Sequence, residues 1–563
     1  MTPVQDNAAD TSPDNVWLAL DRLREAQVAR ATAGLSPESL ALAWMDWALH
    51  LAVAPGKRLS LLAHDWSGPH DIAADPRFRD ASWQSPPFRQ WAETFLRIEE
   101  WWRDATRGVP GTAPHNESIV AFATRQLLDV WAPTNFPWSN PQVLSRTLAQ
   151  GGRNLMTGAL HWWEDLAHAC FGPPAHDPGA QFIVGRDVAV TPGQVVMRNK
   201  LAELIQYTPT TTRVQAEPIL IVPAWIMKYY ILDLSPHNSL VRWLVSQGHT
   251  VFCLSWRNVG PEDRALGLDD YRQLGIMAAL DAVAHRVPGR RVHATGYCLG
   301  GTLLALTAAA LARAGDERLA SLSLFAAQTD FTEPGELGLF IDSAQLHMLD
   351  SMMDRQGVLS AQQMAGAFQM LRSNDLIWSR MVQEYLMGER PPPIDLMAWN
   401  ADATRMPYRM HSEYLHRLYL GNDLAAGRYV VDGHTVVLQN LKTPVFMVGT
   451  ESDHVAPWRS VYKLHYLTEA ELTFVLCNGG HNAGIVNEPG HPHRHYRIAT
   501  RAAGAPCASP DEWLDASPAP RDGSWWTAWH DWLIAHGSGR RVAPPRIDDS
   551  ALGDAPGRYV LEP

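Results

Sequence analysis

Cysteine is scarce in this chain: five residues among 563, namely Cys170, Cys253, Cys298, Cys477 and Cys507. Their odd number and irregular spacing exclude a disulfide framework and suit a reducing compartment. No C-x-x-C pair and no H-E-x-x-H helix accompanies the run His491-Pro492-His493-Arg494-His495. That run therefore reads as a proline-broken surface loop, and no metal is expected. Basic residues are also in deficit, 47 Lys and Arg against 59 Asp and Glu, for a net charge of −12. Such a balance argues against nucleic acid as a general partner. No apolar run approaches the ~18 residues that cross a bilayer. The polar start Met1-Thr2-Pro3-Val4-Gln5-Asp6 lacks the basic and apolar regions of a signal peptide. The expectation is a cytoplasmic protein with no transmembrane segment.

What is present divides the chain. At 563 residues it exceeds one ordinary core, so two domains are expected. Residues 1–15 are polar and read as a disordered tail, and 16–180 as a mostly helical amino-terminal domain. After Phe171-Gly172-Pro173-Pro174, short β-branched runs such as Ile219-Leu220-Ile221-Val222 alternate with helical stretches. That alternation marks an α/β catalytic domain over 181–540 with a predominantly parallel sheet. It stops from about 330 to 427, a segment holding ten of the 17 methionines. This is a helical insertion, and its unbranched thioethers also suit an adaptable lid over a site. Residues 541–563 read as a Pro-rich tail. Twelve of the 23 tryptophans precede residue 170. Most belong in a core, and a minority left exposed would suit an apolar surface or a second subunit.

The most informative stretch is Gly296-Tyr297-Cys298-Leu299-Gly300-Gly301. A strand-forming run precedes it and Thr302–Leu311, rich in helix formers, follows. Strand, glycine-flanked sharp turn and helix are the context of a G-x-S-x-G nucleophile elbow, here with cysteine as nucleophile. A buried structural cysteine is the plainer account, but the glycines on both sides favour a nucleophile. Two further strand runs end in Thr450-Glu451-Ser452-Asp453-His454 and Asn478-Gly479-Gly480-His481. Nucleophile, acid and histidine thus occur in the chain order of α/β-hydrolases, each at the carboxyl end of a strand. Asp453 alone reads equally as a turn cap, and His454 competes with His481. A residue adjacent to the acid does not easily bridge acid and thiol, so Cys298, Asp453 and His481 form the expected triad. The backbone N–H groups of Leu299 and of the loop at Ala224–Ile226, Ile226 in particular, are the expected oxyanion donors.

Longer stretches resemble the polyhydroxyalkanoate (poly-3-hydroxybutyrate) synthase family. They include Val222-Pro223-Ala224-Trp225-Ile226-Met227-Lys228-Tyr229-Tyr230, the G-x-C-x-G-G box at Cys298, Asp453-His454-Val455-Ala456-Pro457-Trp458 and Gly480-His481-Asn482-Ala483-Gly484. Upstream, Asp75-Pro76-Arg77-Phe78 through Leu155 is similar to the family's amino-terminal domain. Met227 stands where many members carry Asn, and Asn482 where many carry Ile. The resemblance implies an α/β-hydrolase fold with a helical lid. It also implies transfer of (R)-3-hydroxyacyl groups from coenzyme A thioesters to a growing polyester through an acyl-Cys298 intermediate. No separate cofactor is expected, and the protein is expected to be a homodimer, peripheral on polyester granules. Lys228 and Arg257 are candidates to hold the CoA phosphates. A Cys-dependent esterase or thioesterase is one enzymatic alternative; another is a dienelactone-type hydrolase, a family that shares the elbow but has no equivalent of residues 1–180 or 330–427. An inactive granule-coating protein is the non-enzymatic alternative.

Overall fold

Ten strands form one mixed sheet in a computed structural model that describes residues 17, 21, 23–29, 32, 34–66, 71–171, 181–371, 377–547 and 551–563. The tail over 1–15 lies outside the described residues. The strands are β1 Gly193–Arg198, β2 Ala202–Tyr207, β3 Ile219–Val222, β4 Val251–Trp256, β5 Val292–Tyr297, β6 Leu319–Phe325, β7 Val445–Thr450, β8 Leu472–Cys477, β9 His495–Arg501 and β10 Arg521–Asp522. Their spatial order is β1-β2-β4-β3-β5-β6-β7-β8-β9-β10. The six from β4 to β8 run parallel, and the flanking pairs are antiparallel. Strands β3 to β8 are buried at every position, as expected of a parallel sheet covered on both faces.

Chain order reverses beside β3, between β4 on one side and β5 on the other. Such a switch point opens a crevice at the carboxyl ends of the strands. Between β6 and β7 the chain leaves the sheet for the expected insertion. Its methionines divide between the core and a cavity wall. Met348, Met353 and Met410 are buried, whereas Met352, Met364 and Met406 line a cavity.

In the amino-terminal region, helices α1 Pro37–Ala52, α2 Phe88–Thr106, α3 Pro114–Val130 and α4 Arg153–Phe171 form the expected helical unit. Phe78 and Trp83 are fully buried in its small core with Ala92 and Phe95. Arg77 ties that core together, its guanidinium 2.8 Å from Asp75, 2.5 Å from Glu99 and 3.2 Å from Asp129. The unit also grips the insertion. The Gln345 side chain accepts a hydrogen bond from Ser36 N at 2.8 Å and donates to Gly34 O. Tyr385 donates to Asp165 at 2.8 Å, and Asn154 donates to Leu386 O at 2.8 Å. Gly158 of α4 lies so close that an added Cβ would sit 1.8 Å from Tyr385 O.

The carboxyl-terminal stretch, expected as a Pro-rich tail, is tied to the sheet. Val195 N donates to Gly553 O and Ala555 N to Gly193 O, both at 2.9 Å, so residues 553–555 cover the exposed edge of β1. The buried Glu203 carboxylate accepts from the backbone N–H groups of Arg558 and Tyr559 at 3.0 and 3.1 Å. A buried carboxylate must find donors, and this segment supplies them. Proline content set the expectation, yet prolines are compatible with a strap that runs along an edge.

Candidate active site

Cys298 stands between β5 and helix α5, Leu299–Arg313, with φ 52° and ψ −125°. This left-handed strain is the mark of a nucleophile elbow and is held by close packing. An added Cβ at Gly296 would lie 2.4 Å from Gly301 Cα, and one at Gly300 2.3 Å from Val222 O. Only glycine lets the turn and β3 approach this closely. Gly300→Ala is therefore expected to destabilise the fold by about 3 kcal/mol or more, because the neighbours are backbone and cannot yield. Denaturant unfolding of the variant checks this.

Leu299 is the first residue of α5, so its N–H has no carbonyl partner within the helix. The loop after β3 is fixed by Thr404, whose hydroxyl donates to Trp225 O at 2.6 Å and whose N–H donates to Ile226 O at 3.3 Å. Leu299, Ile226 and Cys298 share the lining of one cavity of about 140 Å³.

Asp453 follows β7 and its side chain is wholly buried. Its Oδ1 accepts from the backbone N–H groups of Val455 and Ala456 at 2.9 and 2.8 Å. Its Oδ2 lies 2.8 Å from His481 Nδ1. The Cys298 side chain lies within electrostatic reach of the His481 ring. Burial by itself lowers the imidazole pKa, but the charges of Asp453 and Cys298 outweigh it and hold the pKa well above its ordinary value. The structure thus brings acid, imidazole and thiol together at one site. His454, the competing imidazole, sets its carbonyl oxygen against Gly335 of the insertion.

The histidine loop is braced from two sides. Helix α6, Trp525–Ala535, donates the indole N–H of Trp525 to Gly484 O and of Trp526 to Ile485 O, both at 3.0 Å. From the elbow, Tyr297 donates its hydroxyl to Asn482 Oδ1 at 2.5 Å, and its ring tilts over His481 with centroids 5.6 Å apart. Burial, reinforced by Cys298 and Asp453, pushes the Tyr297 pKa up, so the hydroxyl stays a donor. Asn482, the departure from the resembled pattern, therefore has a partner that isoleucine could not engage.

Two expected residues are elsewhere engaged. Lys228 is buried, its ammonium donating to the carbonyl oxygens of Tyr559 and Glu562. Arg257 pairs with Asp263. Their basic character drew attention in the sequence, but the partners are supplied by the carboxyl-terminal strap and by a neighbouring turn. Among the described residues no cluster of three or more His, Cys, Asp or Glu is arranged to hold a metal ion. His491 Nδ1 lies 2.9 Å from its neighbour Pro492 O, and His495 lies 3.5 Å from Glu451.

The cavity also contains residues that sequence reasoning passed over. Gly34 and Leu35 reach it from the amino-terminal region, and His411, Tyr414 and Tyr419 from the insertion. Tyr414 and Tyr419 are five residues apart, a spacing that shares a face only because Tyr414–Leu420 is a π-helix, so nothing local marked them, nor Gly34 or Leu35.

Three family models match the chain. Residues 17–57 match the poly-beta-hydroxybutyrate polymerase N terminal model, and 74–244 the poly-beta-hydroxybutyrate polymerase (PhaC) N-terminus. Residues 217–488 match the alpha/beta hydrolase fold. Similar curated proteins include the poly(3-hydroxyalkanoate) polymerase of Methylorubrum extorquens, 41% identical over 86% of this chain and 80% of that protein. The poly(3-hydroxyalkanoate) polymerase subunit PhaC of Rhizobium meliloti is 38% identical over 86% of this chain and 79% of its own. That of Cupriavidus necator is 35% identical over 86% and 83%.

Proposed function

We infer the reaction from a premise that those likenesses establish: this chain belongs to the poly(3-hydroxyalkanoate) polymerase family. It is a polyester synthase, an acyltransferase that consumes acyl-CoA. The transferred unit we assign is an (R)-3-hydroxyacyl group, and the transfer needs no cofactor beyond the coenzyme A of the substrate.

The observation that supports a covalent route is the chain Asp453–His481–Cys298 opening on an apolar cavity. His481, held by Asp453 through Nδ1, uses its other nitrogen to take the Cys298 proton. The thiolate adds to the thioester carbonyl, and the N–H groups of Leu299 and Ile226 receive the developing oxyanion. The carbon–sulfur bond to coenzyme A breaks, and the departing thiolate takes the proton from His481. An acyl-Cys298 thioester remains, close in energy to the thioester consumed. A chain-end hydroxyl then attacks, His481 accepts its proton, an ester forms, and Cys298 is restored.

Water competes at this last step, and the insertion over the cavity acts against it. Incubation with hydroxyacyl-CoA is expected to give insoluble polyester, with free hydroxy acid a minor product. Mostly free acid from the intact protein would make it a hydrolase.

Granule attachment is proposed from the surface. Trp131 and Trp138 are 71% and 65% exposed and each stacks with Phe136, with centroids 6.3 and 5.1 Å away. On α4, Trp162 and Trp163 are also exposed, and we assign that face to the second copy of a homodimer. Withdrawing an indole from water is worth roughly 2 kcal/mol. The double variant Trp131→Ser, Trp138→Ser is expected to bind polyester granules at least about tenfold more weakly. Its release of CoA from soluble substrate should be unchanged. Pelleting with washed granules reads the first, and a thiol assay the second.

A further inference from the structure

The cavity beside Cys298 is mostly apolar, and its polar side chains are almost all engaged. Thr302 donates to Gln328 O at 2.7 Å, and Gln328 donates to Ser460 at 3.0 Å. Both ends of Gln345 are taken by Gly34 and Ser36. Gln363 accepts from Ser360 N at 2.9 Å, and the Tyr414 hydroxyl points to that of Tyr419 at 3.5 Å. His411 is the exception. It lines the same cavity and is buried, and its Nδ1 has no hydrogen-bond partner among the described residues.

An unpaired nitrogen in a buried ring is unfavourable and calls for a partner. Burial pushes the His411 pKa down to about 4, with Asp350 acting in the opposite sense. At neutral pH the ring is therefore uncharged and offers one donor and one acceptor. The wall on which it stands encloses the nucleophile's cavity: His411, Tyr414 and Tyr419 line it together with Cys298. An acyl chain placed here fills apolar space along its length, and beyond the thioester carbonyl its one polar group is the oxygen on C3.

We propose that His411 is a specificity-determining residue, whose imidazole pairs with the C3 oxygen of the acyl unit on Cys298 and so selects hydroxylated over plain acyl chains. This rests on the acyl-Cys298 reading above. No bond is made or broken by His411. Its contribution is discrimination, because a substrate lacking the hydroxyl leaves the imidazole buried and unpaired.

The experiment compares CoA release in a single turnover from 3-hydroxybutyryl-CoA and from butyryl-CoA, using the full chain. The wild type is expected to favour the hydroxylated thioester by at least about tenfold. His411→Leu and His411→Phe should bring that ratio to about one, and His411→Gln should restore part of it. General damage to folding lowers both rates and cancels in the ratio. The proposal is overturned if the ratio survives in the Leu and Phe variants, or if the wild type shows no preference. It is likewise overturned if both variants lose both substrates alike, which assigns His411 to packing alone. Undiminished CoA release by Cys298→Ala would instead remove the acyl-Cys298 reading, and this inference with it.

Discussion

Cys298→Ala releases no measurable coenzyme A from hydroxyacyl-CoA, a loss expected to be at least about 10⁴-fold. The variant should fold, because alanine is no more strained than cysteine at φ 52° and removes one atom from a site that borders a cavity. Cys298→Ser keeps a nucleophile of the right shape but a far weaker acid, so only a small residue of activity is expected. The other thiols do not substitute. Burial pushes the pKa of Cys253, Cys477 and Cys507 up and keeps them protonated, and Cys170 lies on the amino-terminal helix α4. Rapid-quench measurement of CoA, with circular dichroism to verify the fold, gives the answer. Near-normal release by the alanine variant rejects the nucleophile.

The second large effect is at the base. His481→Gln is expected to slow acylation by about 10³–10⁴-fold, since glutamine holds a hydrogen bond but takes no proton. Asp453→Asn should cost a similar factor by stabilising the wrong tautomer. If His454→Gln proves the more harmful change, the two histidines exchange roles. Stability carries an independent signature. The His481 pKa is raised on folding, so its contribution is fully present below about pH 6.5, its unfolded value. That contribution fades as pH rises through the folded value. Denaturation of wild type and His481→Gln should accordingly differ most at low pH and converge as the pH rises. A gap that widens with pH contradicts the assignment.

The triad was legible because each member follows a strand whose apolar run ends at glycine or a turn residue. Cys298, Asp453 and His481 lie far apart in sequence, and strand order alone gathers them at one edge. The rest depended on long-range pairing. Lys228 looked like a free cation near the crevice, but its partners at Tyr559 and Glu562 come from the other end of the chain. Residues 553–563 looked like a tail because prolines disfavour regular ladders, although strapping an edge strand needs only a few backbone bonds. The methionines of the insertion could not be sorted by composition, since a thioether suits a core and a cavity wall equally. Asn482 was visible only as a deviation, and its bond to Tyr297 supplies the reason.

The grip of the amino-terminal helices on the insertion has a thermodynamic consequence. Gly34 and Leu35 border the cavity while Gly34 and Ser36 hold Gln345, so displacing the cover also breaks contacts made by the region that bears Trp131 and Trp138. If the proposed granule attachment strains that grip, surface attachment and admission of substrate become two ligations of a single equilibrium. If docking on polyester favours an open cover by some factor, substrate that favours the open cover must strengthen docking by the same factor. On that condition product accumulating as a surface would act as an effector of the enzyme that made it, and the onset of polymerisation should quicken when granules are already present.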